Sequence, residues 1–388
     1  MGIKIVYIGS NIPDKTPAGV RVFANALALR DYGYDVKLIS KDIDCQTDFD
    51  INAGMETWHL SRPRSTKEWI SALIDAKSYI HILEKIGGVQ AVIAYELPSI
   101  AFLRLQKYCK RKRIKLICET AEWQKWENLG NLGTIGRIVR VLDINFSMRY
   151  AYKKGDGLIV TSSYFSKHFK GCKPTLVLPT LQCHKLDFPK LENVNAVRRF
   201  IYAGGMGYGK DMLHEIIYAF SLVEKRAFEF NILGLTQQQY LERFSEDEGI
   251  INKINQQGER IKFWGRMSHN EVLEEVRKSD FSLIIRESSR RNNVGFPTKF
   301  GESINCGTPV IVSEFSDVVY YTNRYGVGII TKIDNILQAI NDALNIDDST
   351  LLTMHERCRN CTAFYYKGHI DEIGIFVNEI LESKSSIL

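Results

Sequence analysis

The sequence predicts an α/β protein made of two doubly wound, parallel-sheet domains. Short apolar, β-branched segments alternate with helical patterns along the whole chain, which is typical of parallel sheets covered by helices. The alternation restarts at Arg199–Ala203, after a polar stretch from Gln182 to Val197. The length of 388 residues also exceeds the roughly 250–300 at which one core stops growing. We therefore predict domains at 1–185 and 198–365, followed by a helix within 366–388.

The same pattern places the individual elements. Strands are predicted at 3–8, 35–40, 56–60, 90–95, 115–119, 157–161 and 175–178, and in the second half at 199–203, 228–233, 260–264, 280–285, 309–313 and 327–331. The clearest helices are predicted at 19–31, 66–86, 98–111 and 368–385. Ligands of open α/β sheets bind beyond the carboxyl ends of the strands, so functional residues are expected in the loops that follow strands.

The composition, with 45% hydrophobic and 25% charged residues, is ordinary for a globular protein. Eight cysteines without regular spacing indicate reduced thiols rather than a disulfide framework. Cys358-x-x-Cys361 lacks a second pair, and Asp42-x-Asp44 does not suit this fold, so no metal site is expected.

The first predicted strand begins at residue 3, and no apolar run reaches the ~18 residues needed to span a bilayer. We therefore expect no signal peptide, and a cytoplasmic protein that could bind the inner face of the membrane.

The most informative segment is FPTKFGESINCGTPVIVSE, residues 296–314. It contains a loop with Pro297, a short helix carrying Glu302, a helix stop at Gly307-Thr308-Pro309 and an apolar strand. A helix N-terminus offers unpaired N–H groups and a positive dipole end, which suit a diphosphate. Glu302, about one turn into the helix, could accept hydrogen bonds from hydroxyls beside that anion. A phosphate beside a diol describes a nucleotide.

This segment resembles the sugar-nucleotide segment of retaining, GT-B-fold glycosyltransferases of the family-four type, in which a helix glutamate holds the ribose. Many relatives carry another glutamate eight positions earlier, where this chain has Val294. Pro297, Thr298, Lys299 and Glu302 instead match a subgroup with a Pro-x-Lys-x-x-Glu pattern. The resemblance covers nearly the whole chain. It implies two domains facing each other across a cleft and a last helix that crosses back to the first domain.

The run from Gly204 to Asp211 follows the first strand of the second domain. It does not meet the dinucleotide pattern G-x-G-x-x-G, because Lys210 stands where the third glycine would be. The resemblance instead places Gly204 and Lys210 where relatives have a glycine and a phosphate-binding lysine, although Gly205 replaces their arginine. A lysine at a helix start is unfavourable with the helix dipole unless an anion shares the site.

Further donor-side residues are expected at two other loops. Gly19 ends the loop after the first strand, where the family's glycine loop lets backbone N–H groups approach phosphates or the acceptor. Arg286 ends the strand 280–285, and Arg290 and Arg291 follow it. Guanidinium groups hold two phosphate oxygens at once, so these arginines form a candidate clamp; solvated loop charges are the alternative.

The first domain is expected to bind the acceptor. Glu96 follows the strand at 90–95, and Glu119 and Glu122 follow the strand at 115–119. Carboxylates at these positions could accept a proton from an attacking hydroxyl or bind sugar hydroxyls. Enzymes of this type are commonly thought to use the departing phosphate as the base, so a dedicated protein base is not required.

Basic residues cluster between Lys107 and Lys115 and between Arg137 and Lys154. With Trp123, Trp126 and the glycine-rich segment 129–136, they resemble a surface for anionic lipid. A solvated helix face is the alternative. No nucleic-acid-binding module accompanies these residues, so nucleic acid is not an expected partner.

The resemblance, together with these residues, implies a retaining glycosyltransferase that moves a sugar from a UDP- or GDP-linked donor to a glycan or lipid-linked acceptor, in surface polysaccharide biosynthesis. Lys210, Arg286 and Glu302 are the predicted catalytic residues, and no cofactor is required if basic side chains supply the positive charge. The alternatives are a sugar-nucleotide epimerase of the same fold and a catalytically inactive nucleotide-sugar-binding partner.

Overall fold

The chain forms two compact units in a computed structural model. The structure describes the chain except residues 1, 11, 13–15, 43–48, 124–132, 186–196, 206–209, 225–226, 257, 259 and 384–388. One unit consists of Met1–Cys183 together with Tyr365–Leu388, and the other of His184–Phe364. Each unit is built around its own sheet.

The first unit contains a mostly parallel sheet in the order β3-β4-β2-β1-β5-β6-β7-β8. Its strands are β1 Lys4–Ser10, β2 Asp35–Asp42, β3 Phe49–Asn52, β4 Met55–Ser61, β5 Val89–Tyr95, β6 Lys115–Thr120, β7 Gly157–Val160 and β8 Thr175–Val177. Helices α1 Pro17–Tyr32, α2 Thr66–Ile74, α3 Lys77–Ile86, α4 Ser99–Lys112, α5 Thr134–Phe146 and α6 Ser163–His168 connect them. The middle residues of the central strands β1, β5 and β6 are buried, as expected for a parallel sheet covered by helices.

Strand β3 was not predicted from the sequence. It pairs antiparallel with β4 through the two-residue turn Ala53-Gly54, and both turn residues have positive φ, at 49° and 79°. Two consecutive left-handed residues form the tight turn whose twist suits a hairpin. Strand β3 has only four residues, with Phe49 and Ile51 exposed, and Ala53 is an uncommon residue in such a turn. The sequence signal was therefore weak.

The single helix predicted at 66–86 is wrong, because the structure breaks it into α2 and α3. Asp75 has an extended backbone with ψ 111°. Its carboxylate Oδ1 accepts hydrogen bonds from the backbone N–H groups of Lys77 at 2.9 Å and Ser78 at 3.2 Å. An aspartate side chain that competes for backbone donors favours a helix start over a helix interior. The carboxylate thus caps α3 and ends the preceding helix.

The second unit contains a parallel sheet in the order β11-β10-β9-β12-β13-β14. Its strands are β9 Arg198–Ala203, β10 Phe228–Leu233, β11 Ile261–Gly265, β12 Phe281–Ile284, β13 Val310–Ser313 and β14 Gly328–Thr331. Its helices are α7 Leu213–Ser221, α8 Gln237–Leu241, α9 Glu248–Asn255, α10 His269–Arg277, α11 Arg290–Val294, α12 Thr298–Asn305, α13 Val318–Tyr325, α14 Ile336–Asn345 and α15 Asp348–Asn360. The predicted fold class of two doubly wound α/β domains is confirmed.

The last helix, α16 Ile370–Glu382, belongs to the first unit and packs on α1. Gly374 allows this close approach, because a Cβ at this position would collide with the ring of Tyr32. Tyr34 adds a hydrogen bond from its hydroxyl to the carbonyl of Gly374 at 3.0 Å. Among the described residues, no helix combines the length and apolarity that crossing a bilayer would need.

His355, on α15, should make the second unit sensitive to acid. Its Nδ1 contacts the carbonyl oxygen of Gly307 at 2.6 Å, and its Nε2 is buried without a hydrogen-bond partner among the described residues. Burial lowers the pKa of His355 from 6.5 to about 4. Between pH 6.5 and 4, His355 therefore binds a proton in the unfolded chain but stays neutral in the folded chain. We expect about 3 kcal/mol of stability to be lost as the pH falls from 6.5 to 4.

The measurement is the free energy of unfolding by urea at several pH values, with His355→Gln as the test variant. The amide keeps polar atoms at this position and removes the titration, so the variant should lose less stability over this pH window. His184→Gln serves as a control outside α15. Equal acid sensitivity in the wild type and His355→Gln would contradict this assignment.

Candidate functional site

Residues from four segments meet beyond the carboxyl ends of the strands in the second unit. Gly204 follows β9, Asp211 precedes α7, Arg286 follows β12, and Lys299 lies in the first turn of α12. Parallel strands deliver their following loops to the same sheet edge, so residues far apart in sequence become neighbours. The predicted residues Gly204, Arg286 and Lys299 are therefore brought together.

Asp211 is the centre of this cluster. Its Oδ1 accepts a hydrogen bond from Arg286 Nε at 2.7 Å, and its Oδ2 accepts one from Lys299 Nζ at 3.0 Å. The three side chains are nearly buried, with exposed fractions of 5%, 11% and 12% for the aspartate, arginine and lysine. Burial by itself would raise the pKa of Asp211, but Lys299 and Arg286 outweigh it and hold this pKa well below its usual value. Two cations around one carboxylate leave a net positive charge.

Lys299 is held from two directions. Its Nζ lies 4.2 Å from the centroid of the Tyr202 ring, a cation–π contact. The Tyr202 hydroxyl donates a hydrogen bond to Asp211 Oδ2 at 2.9 Å, so one tyrosine orients both members of the ion pair. Burial lowers the pKa of Lys299 although Asp211 opposes the shift. The ammonium is poorly hydrated and therefore interacts strongly with any anion that enters.

Arg286 is held in place by hydrogen bonds between its backbone and Ser313 and by a contact between its guanidinium group and the Phe315 ring. Its N–H donates to Ser313 Oγ at 2.7 Å, and that hydroxyl donates back to the carbonyl of Arg286 at 2.6 Å. The guanidinium carbon lies 5.6 Å from the centroid of the Phe315 ring. Its Nε holds Asp211, and a guanidinium also carries two terminal NH₂ groups that can donate to a second anion.

Gly204 and Gly234 allow the loops after β9 and β10 to touch. Gly234 has φ 102°, and a Cβ there would lie 2.7 Å from the carbonyl carbon of Gly204. Gly204 itself has φ 149°, and a Cβ there would lie 3.2 Å from Lys299 Nζ. Gly234 therefore needs glycine for both conformation and space, and Gly204 favours glycine for its positive φ. The Gly204 backbone lies directly beside the buried ammonium.

Helix α12 carries the remaining predicted residues of this site. Pro297 precedes the helix with φ −70°, and Thr298 is its first residue. Glu302 has an exposed side-chain fraction of 22%, and its Oε1 lies 4.0 Å from His269 Nε2. Burial raises the pKa of Glu302, while His269 and Lys299 oppose the rise. A half-buried carboxylate one turn after the helix start can bind hydroxyls of a ligand whose anionic part meets Lys299.

Val294, the position of the glutamate found in many relatives, is buried with an exposed fraction of 1%. An apolar side chain in this place packs inside the unit, and the residue cannot supply a ligand-binding carboxylate.

The remaining predicted cations, Lys210, Arg290 and Arg291, differ in their exposure. Lys210 is half-buried in the turn before α7, Arg290 is exposed, and Arg291 is half-buried on α11.

In the first unit, Glu96 lies at the carboxyl end of β5 with an unusual backbone. Its φ is 47°, which is rare for a residue other than glycine. Its Oε1 accepts hydrogen bonds from the N–H groups of Ala121 at 3.1 Å and Glu122 at 3.0 Å. Burial, followed by repulsion from Glu122, raises the pKa of Glu96 to about 7. A titrating carboxyl in a strained loop is a candidate for proton transfer or hydroxyl binding.

Glu96 and Glu122 line a small cavity with Thr120, Arg140 and Asp143. Its volume of about 20 Å³ is enough for a single water molecule. Thr120 is fully buried, and its hydroxyl has no hydrogen-bond partner among the described residues. The pocket therefore combines a titrating carboxyl, a second carboxylate and a spare hydroxyl, which together can bind a hydroxyl-bearing group.

Glu119 has a different setting from the other two glutamates. It is 0% exposed and accepts hydrogen bonds from Arg21 Nε at 2.6 Å and Asn25 Nδ2 at 2.9 Å, as well as from the Tyr7 hydroxyl. The Arg21 guanidinium also donates to the carbonyl of Pro179 at 2.9 Å. A buried carboxylate with these partners ties α1 to the sheet. In this conformation it has no surface that an acceptor can reach.

Gly19 lies in the first turn of α1, because that helix begins at Pro17 rather than at the predicted 19. Its N–H donates to the Thr16 side-chain oxygen at 3.1 Å and is therefore engaged as part of the helix cap. Residues 11 and 13–15 of the preceding loop lie outside the described part of the chain.

The predicted lipid surface is described only in part. The segment from 124 to 132, including Trp126, lies outside the described residues, whereas Trp123 is buried.

Asp211 was missed by the sequence reasoning. The only available signal was an acidic residue directly after Lys210 at a predicted helix start, and a carboxylate there is ordinarily explained by the helix dipole. The described residues contain no group of three or more histidine, cysteine or acidic side chains placed to hold a metal ion.

Comparison with known proteins agrees with this architecture. Residues 197–345 match the family model described as glycosyl transferases group 1. These residues include Gly204, Asp211, Arg286, Lys299 and Glu302, so the whole cluster of the second unit lies within the matched segment. No curated protein sequence matches the chain.

Solved structures of similar fold extend over nearly the whole chain. Sucrose-phosphate synthase from Thermosynechococcus elongatus is 15% identical with a TM-score of 0.69, over 98% of this chain and 100% of that one. A glycosyltransferase from Rickettsia africae ESF-5 gives the same identity and TM-score over 99% and 100%. WaaG, a glycosyltransferase involved in lipopolysaccharide biosynthesis, is 12% identical with a TM-score of 0.61 over 96% and 99%. The fold is therefore GT-B.

Proposed function

We propose that this chain is a group 1 glycosyltransferase that transfers a sugar from a UDP- or GDP-linked donor to a glycan or lipid-linked hydroxyl with retention of configuration. The observation that carries the proposal is the cluster of Lys299, Arg286 and Asp211 beside the carboxylate of Glu302. Cations beside a carboxylate that can accept hydrogen bonds from hydroxyl groups suit a diphosphate joined to a pentose.

The donor would bind the second unit in two parts. The diphosphate would meet Lys299, the terminal NH₂ groups of Arg286 and the Gly204 backbone, with Lys210 approaching from the turn before α7. The ribose hydroxyls would donate hydrogen bonds to Glu302. This arrangement is supported by the net positive charge around Asp211 and by the place of Glu302 one turn into α12.

The chemical step would rely on charge stabilisation. The bond between the sugar C1 and the diphosphate oxygen breaks, and the electron pair leaves with the diphosphate. The acceptor oxygen bonds to C1 on the same face, and its proton passes to the departing phosphate. Lys210, Arg286 and Lys299 would stabilise the charge that grows on the leaving group, as preorganised cations do in a water-poor site. This chemistry requires no cofactor.

The acceptor would approach the first unit at Glu96 and Glu122, where two carboxylates and the Thr120 hydroxyl line one pocket. Lipopolysaccharide biosynthesis is the role that WaaG's description gives that protein, and a related role in surface polysaccharide biosynthesis suits a glycan or lipid-linked acceptor here. We place the protein in the cytoplasm, in peripheral contact with the inner face of the cell membrane. The basic residues of the first unit support this location.

A ligand screen followed by product analysis tests the proposal. UDP- and GDP-sugars are added to the whole protein during thermal unfolding, and the true donor should stabilise the fold by ~2.7 kcal/mol at a hundredfold excess over its dissociation constant. With that donor and an acceptor, NMR of the product should show the same anomeric configuration as the donor. A changed sugar formed from donor alone, or an inverted linkage, would contradict the proposed reaction.

Glu96 should control the acid side of the pH–activity profile. Its pKa of about 7 means that the carboxylate becomes available for an acceptor hydroxyl only as the pH rises through 7. We expect kcat/KM for the acceptor to increase over this range, and Glu96→Gln to flatten the increase and lower the rate about 10²-fold. The amide preserves the oxygen that the Ala121 and Glu122 N–H groups need.

The control is Glu84→Gln, an exposed carboxylate on α3, which should leave the profile unchanged. Donor binding should be equal in the wild type and both variants. A Glu96→Gln enzyme that keeps the wild-type acid limb would remove Glu96 from the acceptor site.

A further inference from the structure

Helix α5 and the turn after it expose a continuous apolar ridge. The side chains are 79%, 47%, 64%, 41% and 47% exposed in the order Ile135, Ile138, Leu142, Phe146 and Tyr150. Their spacing of three and then four residues keeps them on one face of a helix. Single exposed apolar residues are ordinary, but a ridge of five in register is a feature of binding surfaces.

The opposite side of this helix is anchored in the first unit. Ile144 is buried, and Asp143 accepts hydrogen bonds from the N–H and hydroxyl of Ser99 at 2.8 and 2.6 Å, which caps α4. Met148 and Ala151, in the turn that continues α5, are also buried. The ridge is therefore presented outward by a fixed helix, and Phe146 and Tyr150 stack with ring centroids 5.2 Å apart.

Basic residues accompany the ridge. Between Gly133 and Lys154 the sequence contains five basic residues and only one acidic residue, a net charge of +4. Lys154 Nζ lies 4.8 Å from the centroid of the Tyr150 ring, so a cation stands directly at one end of the ridge. Arg149 is exposed beside it. Apolar side chains flanked by lysine and arginine match the chemistry of a membrane interface, with acyl chains below and anionic headgroups around them.

We propose that the α5 ridge is the surface by which this protein docks on an anionic lipid bilayer, with the apolar side chains entering the interface and Arg149 and Lys154 contacting headgroups. A second copy of the chain is a poorer partner, because pairing two such ridges would bring two positively charged faces together. The proposal specifies the surface for the membrane contact included in the proposed function. It is tested without donor or acceptor, so its failure would leave the transfer reaction untouched.

Vesicle flotation with the whole protein tests the ridge. The wild type should float with vesicles of phosphatidylcholine and phosphatidylglycerol, and should stay in solution with phosphatidylcholine alone. Ile135→Ser/Leu142→Ser should weaken binding about tenfold or more, because each side chain contributes apolar burial in the interface. The matched control is Ile51→Ser, which removes an isoleucine that is 69% exposed on β3 and should not change binding.

A charge variant, Arg149→Gln/Lys154→Gln, should weaken binding at low salt and have a smaller effect at high salt, since headgroup attraction is screened. Thermal unfolding unchanged from that of the wild type would show that both double variants are folded. Wild-type flotation by the ridge variant would overturn the proposal. So would a wild type that ignores anionic vesicles but forms a dimer that the ridge variant abolishes in sedimentation, since the ridge would then join two copies.

Discussion

Lys299→Met should abolish measurable donor binding and also lower the free energy of unfolding by about 3–5 kcal/mol. Methionine keeps the apolar stem of the side chain but removes the ammonium that holds Asp211 Oδ2 at 3.0 Å. The buried carboxylate then retains only Arg286 as a cationic partner, which destabilises the fold. The proposed donor diphosphate would lose one of its two nearly buried cations, and with it much of the electrostatic attraction.

A double variant separates the two effects. Lys299→Met/Asp211→Asn removes the uncompensated carboxylate as well, and should recover most of the lost stability in urea unfolding without recovering donor binding in calorimetry. Lys332→Met, at an exposed position after β14, should change neither measurement. Donor binding by the double variant at wild-type affinity would show that Lys299 serves only the fold.

Glu302→Ala should raise the dissociation constant of the donor by about 10²-fold while leaving the fold intact. A carboxylate contributes about 1.5–3 kcal/mol for each hydrogen bond it accepts from a ligand hydroxyl, and alanine accepts none. The change removes a group with 22% side-chain exposure from α12, and alanine favours the helix. Isothermal calorimetry with the nucleotide sugar identified by the thermal screen measures the loss.

Two comparisons define the role of Glu302. The free nucleoside should show the same proportional loss, because the glutamate is assigned to the ribose, whereas inorganic diphosphate should bind both proteins equally. Lys210→Ala should show the reverse pattern, with weaker diphosphate binding and little change for the nucleoside. Equal nucleoside binding by the wild type and Glu302→Ala would remove the ribose assignment.

Most of the fold could be read from the sequence because burial and periodicity coincide in this chain. In the described part of the molecule, strands β5, β6, β9 and β13, which are buried along most or all of their length, appear as short apolar runs within a residue or two of their predicted bounds. The errors occurred where a local side chain or turn overrides periodicity. Asp75 divides a long helical pattern, and the left-handed turn Ala53-Gly54 creates the unpredicted strand β3.

The candidate site was only partly predictable for a related reason. Residues that lie together on one element, such as Lys299 and Glu302 on α12, are recognisable because the segment resembles a family pattern. Asp211 is distant from Arg286 and Lys299 in sequence, and only the sheet brings the three together. Burial is likewise invisible in a short motif, so Glu119 and Glu96 look equivalent in sequence although their environments differ.

The chain leaves and re-enters the first unit at a single place. Gln182 and Tyr365 form a parallel bridge, and Tyr366 N–H donates to the Gln182 carbonyl at 3.2 Å. The second unit, residues 184–364, is therefore one continuous segment inserted between Cys183 and Tyr365 of the first unit. Helix α16, which follows the insertion, belongs to the first unit. If the second unit binds the donor as proposed, grafting a relative's corresponding segment between Cys183 and Tyr365 should yield chimaeras with exchanged donor preference. Cutting the chain before α16 would leave α1 without the helix that packs on it.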